Sequence, residues 1–303
     1  MFLEALIRLM VAEHKQKPIT GNVLTLGKQS VPVPYNKIKQ IFKENDCPIN
    51  PNFEIKNAKM DTTTRGRGEN TLDDESFFQL FGDINYETMD VSEYENASII
   101  HNLNDPIPKE LEEKYDFIID GGTFDHLFDL KACFQNITKL LKPGGRIFQW
   151  NAASNFSNAG YLSFSADFFN DYFTLNKFAD CRTYFARSWS MGGQNWCLYQ
   201  FKPPMQKEHY RDFNPSYFYT MVLVFAEKGP ETTYDKIPIQ LQYRDKELRD
   251  EYIKNSEQFR SHKTQPDIKT IPLRAVKMPN RYKILHMLEP KPYMKDYRKI
   301  GWV

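Results

Sequence analysis

The sequence predicts an α/β fold in which a mostly parallel sheet carries helices on both faces. The observation that predicts it most directly is a strand, a helix and a second strand, at Tyr115–Asp120, Asp125–Leu141 and Arg146–Trp150. Apolar residues recur at helical spacing in the middle segment, and Lys142-Pro-Gly-Gly145 ends the helix. A strand–helix–strand unit of this length is typical of a right-handed crossover between two parallel strands.

The composition is compatible with one large core. The chain has 303 residues and a mass of 35.8 kDa, of which 41% are hydrophobic, 15% aromatic and 26% charged. These values are typical of a globular protein. They exclude a largely disordered chain, a collagen-like chain and a protein with many membrane spans.

The other elements follow from local patterns. The N-terminal segment has Phe2, Leu6 and Met10 on one helical face and Glu4 and Arg8 on the other, which predicts an amphipathic docking helix rather than a signal sequence. The further elements predicted are a strand at Asn22–Leu26, helices at Tyr35–Asn45, Asp73–Phe81 and Ala166–Phe173, and strands at Asn85–Met89, Ala97–His101, Cys181–Arg187 and Tyr217–Ala226.

Residues 1–228 are predicted to form one α/β domain, and residues 229–303 an extension packed on it. The segment 46–72 is polar and is expected to be an insertion or a mobile lid. The extension is Pro-rich, with one helix predicted at Asp245–His262. Its net charge is +6 against −5 for residues 1–228. This split indicates docking of the extension on the body, an anionic partner, or two solvated surfaces of opposite sign.

Cysteine usage and hydropathy favour a cytoplasmic protein. The cysteines are widely spaced, which argues against a disulfide framework or a zinc site and for reduced thiols. They are Cys47, Cys133, Cys181 and Cys197. No apolar run approaches the ~18–20 residues of a membrane span. We therefore expect no metal site and no membrane partner, and we leave a homo-oligomer open.

Polar and glycine residues follow the predicted strands at the edge where an open α/β sheet binds its ligands. A glycine after the first strand lets the backbone approach a ligand closely, and a carboxylate after the second can accept both hydroxyls of a ribose. Residues after the third strand can frame a base, and the two glycines after the fourth leave space for a substrate. In chain order these residues are Gly27-Lys28-Gln29, Asp90, Asn102-Leu103-Asn104, Asp120-Gly121-Gly122 and Asn151.

The run from Asn85 to Gly145 resembles class I S-adenosylmethionine-dependent methyltransferases. The segments that carry the resemblance are Asn85-Tyr-Glu-Thr-Met-Asp90, His101-Asn-Leu-Asn-Asp-Pro-Ile-Pro108, Tyr115-Asp-Phe-Ile-Ile-Asp-Gly-Gly-Thr-Phe-Asp-His126 and Lys142-Pro-Gly-Gly145. The chain is similar in particular to a bacterial branch associated with polysaccharide or secondary-metabolite modification. The resemblance covers about residues 20–228, and it implies a Rossmann-like sheet with an antiparallel last strand at Tyr217–Lys228.

The resemblance also implies a cofactor, S-adenosylmethionine, and roles for particular residues. Gly27, Lys28 and Gln29 would face the methionine moiety, and Asp90 would hold the ribose diol. Asn102 and Leu103 would flank the adenine. Asp120 and Gly121 would lie beside the methionine amino group or the acceptor.

The reaction that the resemblance implies is methyl transfer to an oxygen or nitrogen nucleophile, with O-methylation of a hydroxylated small molecule, such as a sugar or nucleotide-sugar, as the preferred case. It requires positioning of the reactants and removal of one proton. His126 and Asp120 are the candidate bases, with His126 expected in the first turn of the helix after the fourth strand.

Each candidate residue also has a purely structural interpretation. Asp90 can cap a turn, Asp120 can cap the helix that follows it, Asn102 is a common turn residue, and His126 can serve packing.

Two other functions stay open from the sequence. The first is a binding or scaffold protein that kept this fold without the chemistry, since the first turn has one glycine, Gly27, in place of Gly-x-Gly. The second is a Rossmann-type enzyme using NAD or a nucleotide-sugar, although no Gly-x-Gly-x-x-Gly run follows any strand. The basic extension resembles a nucleic-acid stacking surface in composition only, so a nucleic-acid partner is not expected.

Overall fold

A computed structural model describes residues 1–60, 71–93, 95–157, 159–189, 195–202, 218–263 and 297–302. The strands are β1 Gly21–Leu26, β2 Ile84–Asp90, β3 Ile99–Ile100, β4 Tyr115–Asp120, β5 Leu141–Ser154, β6 Asp180–Ser188, β7 Cys197–Phe201, β8 Tyr219–Glu227 and β9 Tyr297–Trp302. The helices are α1 Glu4–Gln16, α2 Tyr35–Glu44, α3 Asp74–Phe78, α4 Leu130–Leu140, α5 Ala166–Leu175, α6 Lys246–Glu257 and α7 Arg260–Lys263.

All nine strands belong to one sheet, in the order β3-β2-β1-β4-β5-β8-β6-β7-β9. The first five strands of this order pair in parallel. Strand β8 pairs antiparallel with both β5 and β6. Strand β7 also pairs antiparallel with β6 and β9, so the described sheet is mixed: its first half is parallel as expected, and the strand expected after Tyr217 is antiparallel but is not the last one. The neighbours of β1 are β2 and β4, so the strand order reverses there and a crevice opens at the carboxyl ends.

Helices cover both faces of the sheet, as predicted. Val23, Phe117 and Phe148 point to one face and pack in an apolar cluster with residues of α1, α2 and α3. Leu24 and Ile118 point to the other face, in a second cluster with residues of α4 and α5. The two-residue side-chain period of a strand produces this division, since alternate side chains leave the sheet on opposite sides.

Helix α1 is buried on its polar side as well as its apolar side, which corrects the prediction of an amphipathic docking helix. Arg8 is 2% exposed and pairs with Glu4 at 3.0 Å and Glu44 at 2.7 Å. Glu13, also 2% exposed, pairs with Arg146 at 2.6 Å and Arg182 at 2.7 Å. The charges are tolerated inside because each has an opposite partner.

Two predicted helices have different bounds in the structure. Phe124–His126 is a short 3-10 turn, and α4 begins only after Asp129, whose side chain accepts the backbone N–H of Ala132. His126 is therefore not in the first turn of an α-helix. The predicted helix Asp245–His262 is interrupted between α6 and α7. Strands β7 and β9 had no counterpart in the prediction.

The predicted insertion 46–72 is described only in part. The described part contains a 3-10 turn at Ile55–Asn57, and Asn50 donates to the carbonyl of Gln79 at 3.0 Å and to Asp83 at 3.1 Å. Residues 61–70 lie outside the described part of the chain. A lid function for this segment stays a prediction.

Described residues beyond 228 contact the sheet and its helices. The N–H of Arg260 donates to the carbonyl of Ala179, the N–H of Ser261 donates to Asp180, and β9 pairs with β7. Most of the Pro-rich part, 264–296, lies outside the described residues, and a domain boundary at 228 stays a prediction. Within the ranges described, no helix is long and apolar enough to cross a membrane.

Candidate functional site

Strands β1, β2 and β4 bring Gly27, Asp90 and Thr123 together at the carboxyl edge of the sheet. Gly27 has a φ of +71°, and its N–H donates to the carbonyl of Met89 at 2.7 Å. A Cβ atom on Gly27 would lie 3.6 Å from Asp90 Oδ2 and 3.5 Å from Thr123 Oγ1. The three residues therefore border one space. Gly27 leaves this space open because its side chain is only a hydrogen atom.

Asp90 keeps an oxygen free for a ligand. Its Oδ1 accepts a long hydrogen bond from the N–H of Ser92 at 3.4 Å, and its carbonyl accepts the N–H of His101 at 2.8 Å. Oδ2 takes no hydrogen bond from any described residue. A partly exposed carboxylate beside a glycine turn can accept hydrogen bonds from a pair of hydroxyls.

Lys28 and Gln29 have partners within the protein. Lys28 Nζ pairs with Asp74 Oδ1 at 3.0 Å, and the N–H of Gln29 donates to Asp74 Oδ2 at 2.9 Å. Asp74 is fully buried, so it fixes the turn after β1 onto α3. The Lys28 side chain is thereby directed to α3, and a role of these two residues toward a cofactor stays a prediction.

The side chain of Gln29 covers Gly121. A Cβ atom on Gly121 would lie 2.3 Å from Gln29 Oε1, and Gln29 Nε2 donates to the carbonyl of Gly27 at 3.3 Å. The expectation that both glycines after Asp120 leave space over the sheet is therefore wrong for Gly121. The space is at Gly122, which has a φ of +90° and is partly exposed.

Asp120 is fully buried and its oxygens are occupied. Oδ1 accepts the N–H groups of Thr123 at 2.7 Å and Phe124 at 3.3 Å, and Oδ2 accepts the amides of Gln149 at 3.1 Å and Asn151 at 2.8 Å. Burial raises the pKa of Asp120, although these hydrogen bonds oppose the rise. The carboxylate of Asp120 thus orders the turn after β4, and a role as a base stays a prediction.

Asn102 and Leu103 also have internal roles. Asn102 Oδ1 accepts from the backbone N–H and the side-chain amide of Asn104, at 3.1 Å and 2.8 Å. Leu103 is buried in the cluster with α4, and its carbonyl accepts the amide of Asn136 at 2.9 Å. The side chain of Leu103 is part of the core and does not frame an open cleft, which corrects the expectation for the adenine. The Asn102 side chain closes a local turn.

His126 lies at the surface of the 3-10 turn. Its N–H donates to the carbonyl of Thr123 at 3.0 Å, and its side chain is exposed. Nothing in these contacts orients the imidazole toward the crevice. Catalysis by His126 stays a prediction.

The carboxylate that sequence reasoning missed is the preceding residue, Asp125. It is 5% exposed, and none of the described residues forms a hydrogen bond with its Oδ1. Burial and, next, the charge of Asp120 raise the pKa of Asp125 to about 7. The available signal was a second carboxylate shortly after Asp120-Gly-Gly, which the sequence placed at the start of the helix predicted at Asp125–Leu141.

Two cavities lie away from this crevice. One, of about 350 Å³, lies between α4, α5 and residues 237–240, and Phe134, Phe168 and Tyr172 are among its walls. The other, of about 440 Å³, lies between the end of α4 and the segment after β8, near Lys139 and Lys228. Among the described residues, no three His, Cys, Asp or Glu side chains gather as a metal site would require.

Comparison with family models and with curated proteins finds no match. Solved structures do resemble the chain. The citrinin polyketide synthase CMeT domain is 9% identical over 70% of this chain and 47% of that one, with a TM-score of 0.35. TehB from Haemophilus influenzae is 14% identical over 72% and 61%, with a TM-score of 0.36.

A third similar structure is an S-adenosylmethionine-dependent methyltransferase of Thermotoga maritima, described as a possible histamine N-methyltransferase. It is 12% identical over 75% of this chain and 89% of its own, with a TM-score of 0.35. The chain spans about half of the citrinin synthase domain and 61% of TehB. All three TM-scores lie below 0.5.

Proposed function

We propose that this protein is an S-adenosylmethionine-dependent methyltransferase. The observation that carries the proposal is the meeting of Gly27, Asp90 and Thr123 at the crevice where the strand order reverses. In open α/β sheets this crevice is the usual place for a nucleotide or nucleoside ligand.

The residues present are suited to an adenosyl group. Gly27 leaves room for close approach, and the free Oδ2 of Asp90 can accept hydrogen bonds from ribose hydroxyls. The turn that carries Gly27 is fixed to α3 through Asp74, so the binding surface is organised before any ligand arrives. S-adenosylmethionine, when bound, supplies an activated methyl group on a sulfonium sulfur.

For the acceptor we propose a hydroxylated small molecule, with a sugar or nucleotide-sugar as the preferred class. Large apolar side chains are exposed in the loops at this edge, with Phe128 91%, Tyr161 78% and Val91 66% exposed. Aromatic rings of this kind pack against the apolar faces of small molecules. This choice agrees with the resemblance to the bacterial branch that modifies polysaccharides and secondary metabolites, and a cytoplasmic location remains part of the proposal.

A specific observation favours a second candidate, a binding or scaffold protein of the same fold. The Gln29 side chain occupies the space over Gly121, in the crevice itself. In that case the crevice would bind a ligand without transferring a group. Asp90 and Asp125 argue for the first candidate, because each retains a carboxylate oxygen without a hydrogen-bond partner among the described residues.

The experiment that tests the activity is a methyl-transfer assay on the whole chain with S-adenosylmethionine and a panel of probes. Methyl glucoside, uridine diphosphate glucose and catechol represent the hydroxylated classes, and histamine represents an amine. We expect S-adenosylhomocysteine to form with at least one hydroxylated probe. Turnover of histamine alone would redirect the proposal to N-methylation, and binding of the cofactor without any turnover would favour the second candidate.

A further inference from the structure

Asp125 combines deep burial with an open hydrogen-bonding position. It is 5% exposed, yet its Oδ1 has no partner among the described residues. A buried carboxylate oxygen without a partner is costly, so such groups are retained mainly where a ligand or a reaction uses them. The Asp125 carboxylate is not needed to pair the N–H groups of the turn, since Asp120 already accepts those of Thr123 and Phe124.

Two glycines border the carboxylate, and they differ in how close they lie. A Cβ atom on Gly160 would lie 2.9 Å from Asp125 Oδ2 and 2.7 Å from the Asp125 carbonyl, so the chain at 160 closes one side tightly. A Cβ atom on Gly122 would lie 3.6 Å from Oδ1, and Gly122 is partly exposed. The unpartnered oxygen therefore lies on the Gly122 side of the carboxylate, where the protein itself buries it.

The backbone holds Asp125 in this orientation. Its carbonyl accepts the N–H groups of Tyr161 at 2.7 Å and Leu162 at 3.1 Å. These two hydrogen bonds join the turn after β4 to the segment after β5, so the carboxylate lies between two loops of the crevice. Thr123, two residues earlier, borders the space that Gly27 and Asp90 also border.

We propose that Asp125 binds the nucleophilic hydroxyl or amine of the methyl acceptor and takes its proton, an inference that rests on the proposed function. In the step, Asp125 accepts the acceptor proton while the acceptor lone pair forms the bond to the methyl carbon. The carbon–sulfur bond of the sulfonium breaks, and its electron pair stays on sulfur. The products are the methylated acceptor, a neutral thioether and a protonated Asp125, so charge and atoms balance.

The surroundings of Asp125 suit a proton acceptor near neutral pH. Burial and the charge of Asp120 raise its pKa to about 7, close to the pH at which a base works best. The charged group that acts on Asp125 is Asp120 on β4; the exposed His126 follows Asp125 in the same turn, and the exposed Tyr161 contacts it through its backbone N–H. Both carboxylate oxygens of Asp120 already accept hydrogen bonds, so Asp120 acts on Asp125 through its charge.

The test measures the pKa of Asp125 in the whole chain by NMR with ¹³C-labelled aspartate. Titrations are recorded with saturating S-adenosylmethionine and with saturating S-adenosylhomocysteine, and Asp125→Asn assigns the signal. The two ligands differ by the positive charge on sulfur. If Asp125 faces the reacting centre, that charge lowers its pKa by about one unit relative to the thioether. Asp171 on α5, whose pKa burial raises to about 6, is the internal control and should not respond.

The outcomes separate this inference from the proposed function. A lower pKa of Asp125 with the sulfonium ligand, and an unchanged Asp171, supports both. Binding of both ligands with the same pKa for Asp125 overturns the inference and leaves the proposed function standing. Absence of binding by either ligand, measured calorimetrically on the same samples, overturns the proposed function and this inference with it.

Discussion

The carboxylate of Asp90 lies beside Gly27 across two parallel strands: Oδ2 is 3.6 Å from the position that a Cβ atom on Gly27 would occupy. This places a hydrogen-bond acceptor next to backbone that has no side chain. The relationship depends on β1 and β2 pairing in register, with Leu26 opposite Met89.

Gly27→Ala should weaken binding of S-adenosylhomocysteine at least tenfold, or about 1.4 kcal/mol. The added methyl group occupies the space between Asp90 and Thr123, and the positive φ adds backbone strain. Calorimetry measures the affinity. Gly144→Ala is the matched control, because Gly144 has a φ of +80° and its Cβ position has Lys17 Nζ as its nearest contact, at 3.9 Å. Equal loss of affinity in both variants would contradict the prediction.

Asp74→Ala should lower the free energy of unfolding by about 2–3 kcal/mol, because it leaves the buried N–H of Gln29 without its acceptor. Denaturant titration measures the change. Lys28→Ala removes the cation that pairs with the buried Asp74 at 3.0 Å but keeps the acceptor of the Gln29 N–H, so it should cost less than Asp74→Ala. A larger effect from Lys28→Ala than from Asp74→Ala would show that the turn is fixed in another way.

Glu13→Gln should destabilise the protein by about 3 kcal/mol, because it removes the carboxylate that pairs with the buried Arg146 and one of the two that pair with the buried Arg182, the other being Asp180. Burial alone would raise the pKa of Glu13, but the charges of Arg182 and Arg146 outweigh it and lower the pKa below its ordinary value of 4.5. The stability from this group is therefore present above pH 4.5 and is lost as the pH falls through the folded pKa.

Thermal unfolding from pH 3 to pH 7 measures both effects of Glu13. The exposed Glu112, changed to Gln, is the control and should be neutral within about 0.5 kcal/mol. Indistinguishable acid-unfolding curves for wild type and Glu13→Gln would count against the pairing.

Asp125→Asn should stabilise the protein near neutral pH. The pKa of Asp125 is raised to about 7 from 3.8, so the folded state binds a proton more tightly than the unfolded state. Stability contributed by this group is full below about pH 4 and is lost as the pH rises toward 7, by up to about 4 kcal/mol. Chemical unfolding at pH 4.5 and pH 7.5 should show a smaller pH dependence in the variant. A dependence equal to that of the wild type would contradict the raised pKa.

The sequence was sufficient for the parallel half of the fold. Tyr115–Asp120 has the bounds predicted, because a continuous apolar run between turn residues is typical of a strand buried on both faces. The antiparallel strand β8 was predicted within two residues at its start. Strands β7 and β9 were missed because β7 is short and the sequence of β9 does not alternate between apolar and polar residues. Pairing with neighbouring strands, rather than local sequence, determines their conformation.

The candidate site was less predictable than the sheet. Gly27 and Asp90 could be predicted because each directly follows a strand, and the carboxyl ends of neighbouring parallel strands lie at the same edge of a sheet. Asp125 was missed because its burial depends on Gly160 and Tyr161, which are distant in sequence. In the same way, the Gln29 side chain covers Gly121 only because the turn after β1 is fixed to α3, and no local pattern reveals this contact.

The measurement that tests the central claim most directly is isothermal titration of the whole chain with S-adenosylmethionine and S-adenosylhomocysteine, with NAD as a control ligand. It is repeated on Asp90→Ala and on Glu93→Ala, which removes an exposed carboxylate of the same charge three residues away. We predict micromolar binding of both adenosyl ligands to wild type and to Glu93→Ala, and a loss of at least tenfold in Asp90→Ala. No binding to wild type at millimolar ligand, or equal affinity in Asp90→Ala, would contradict the account.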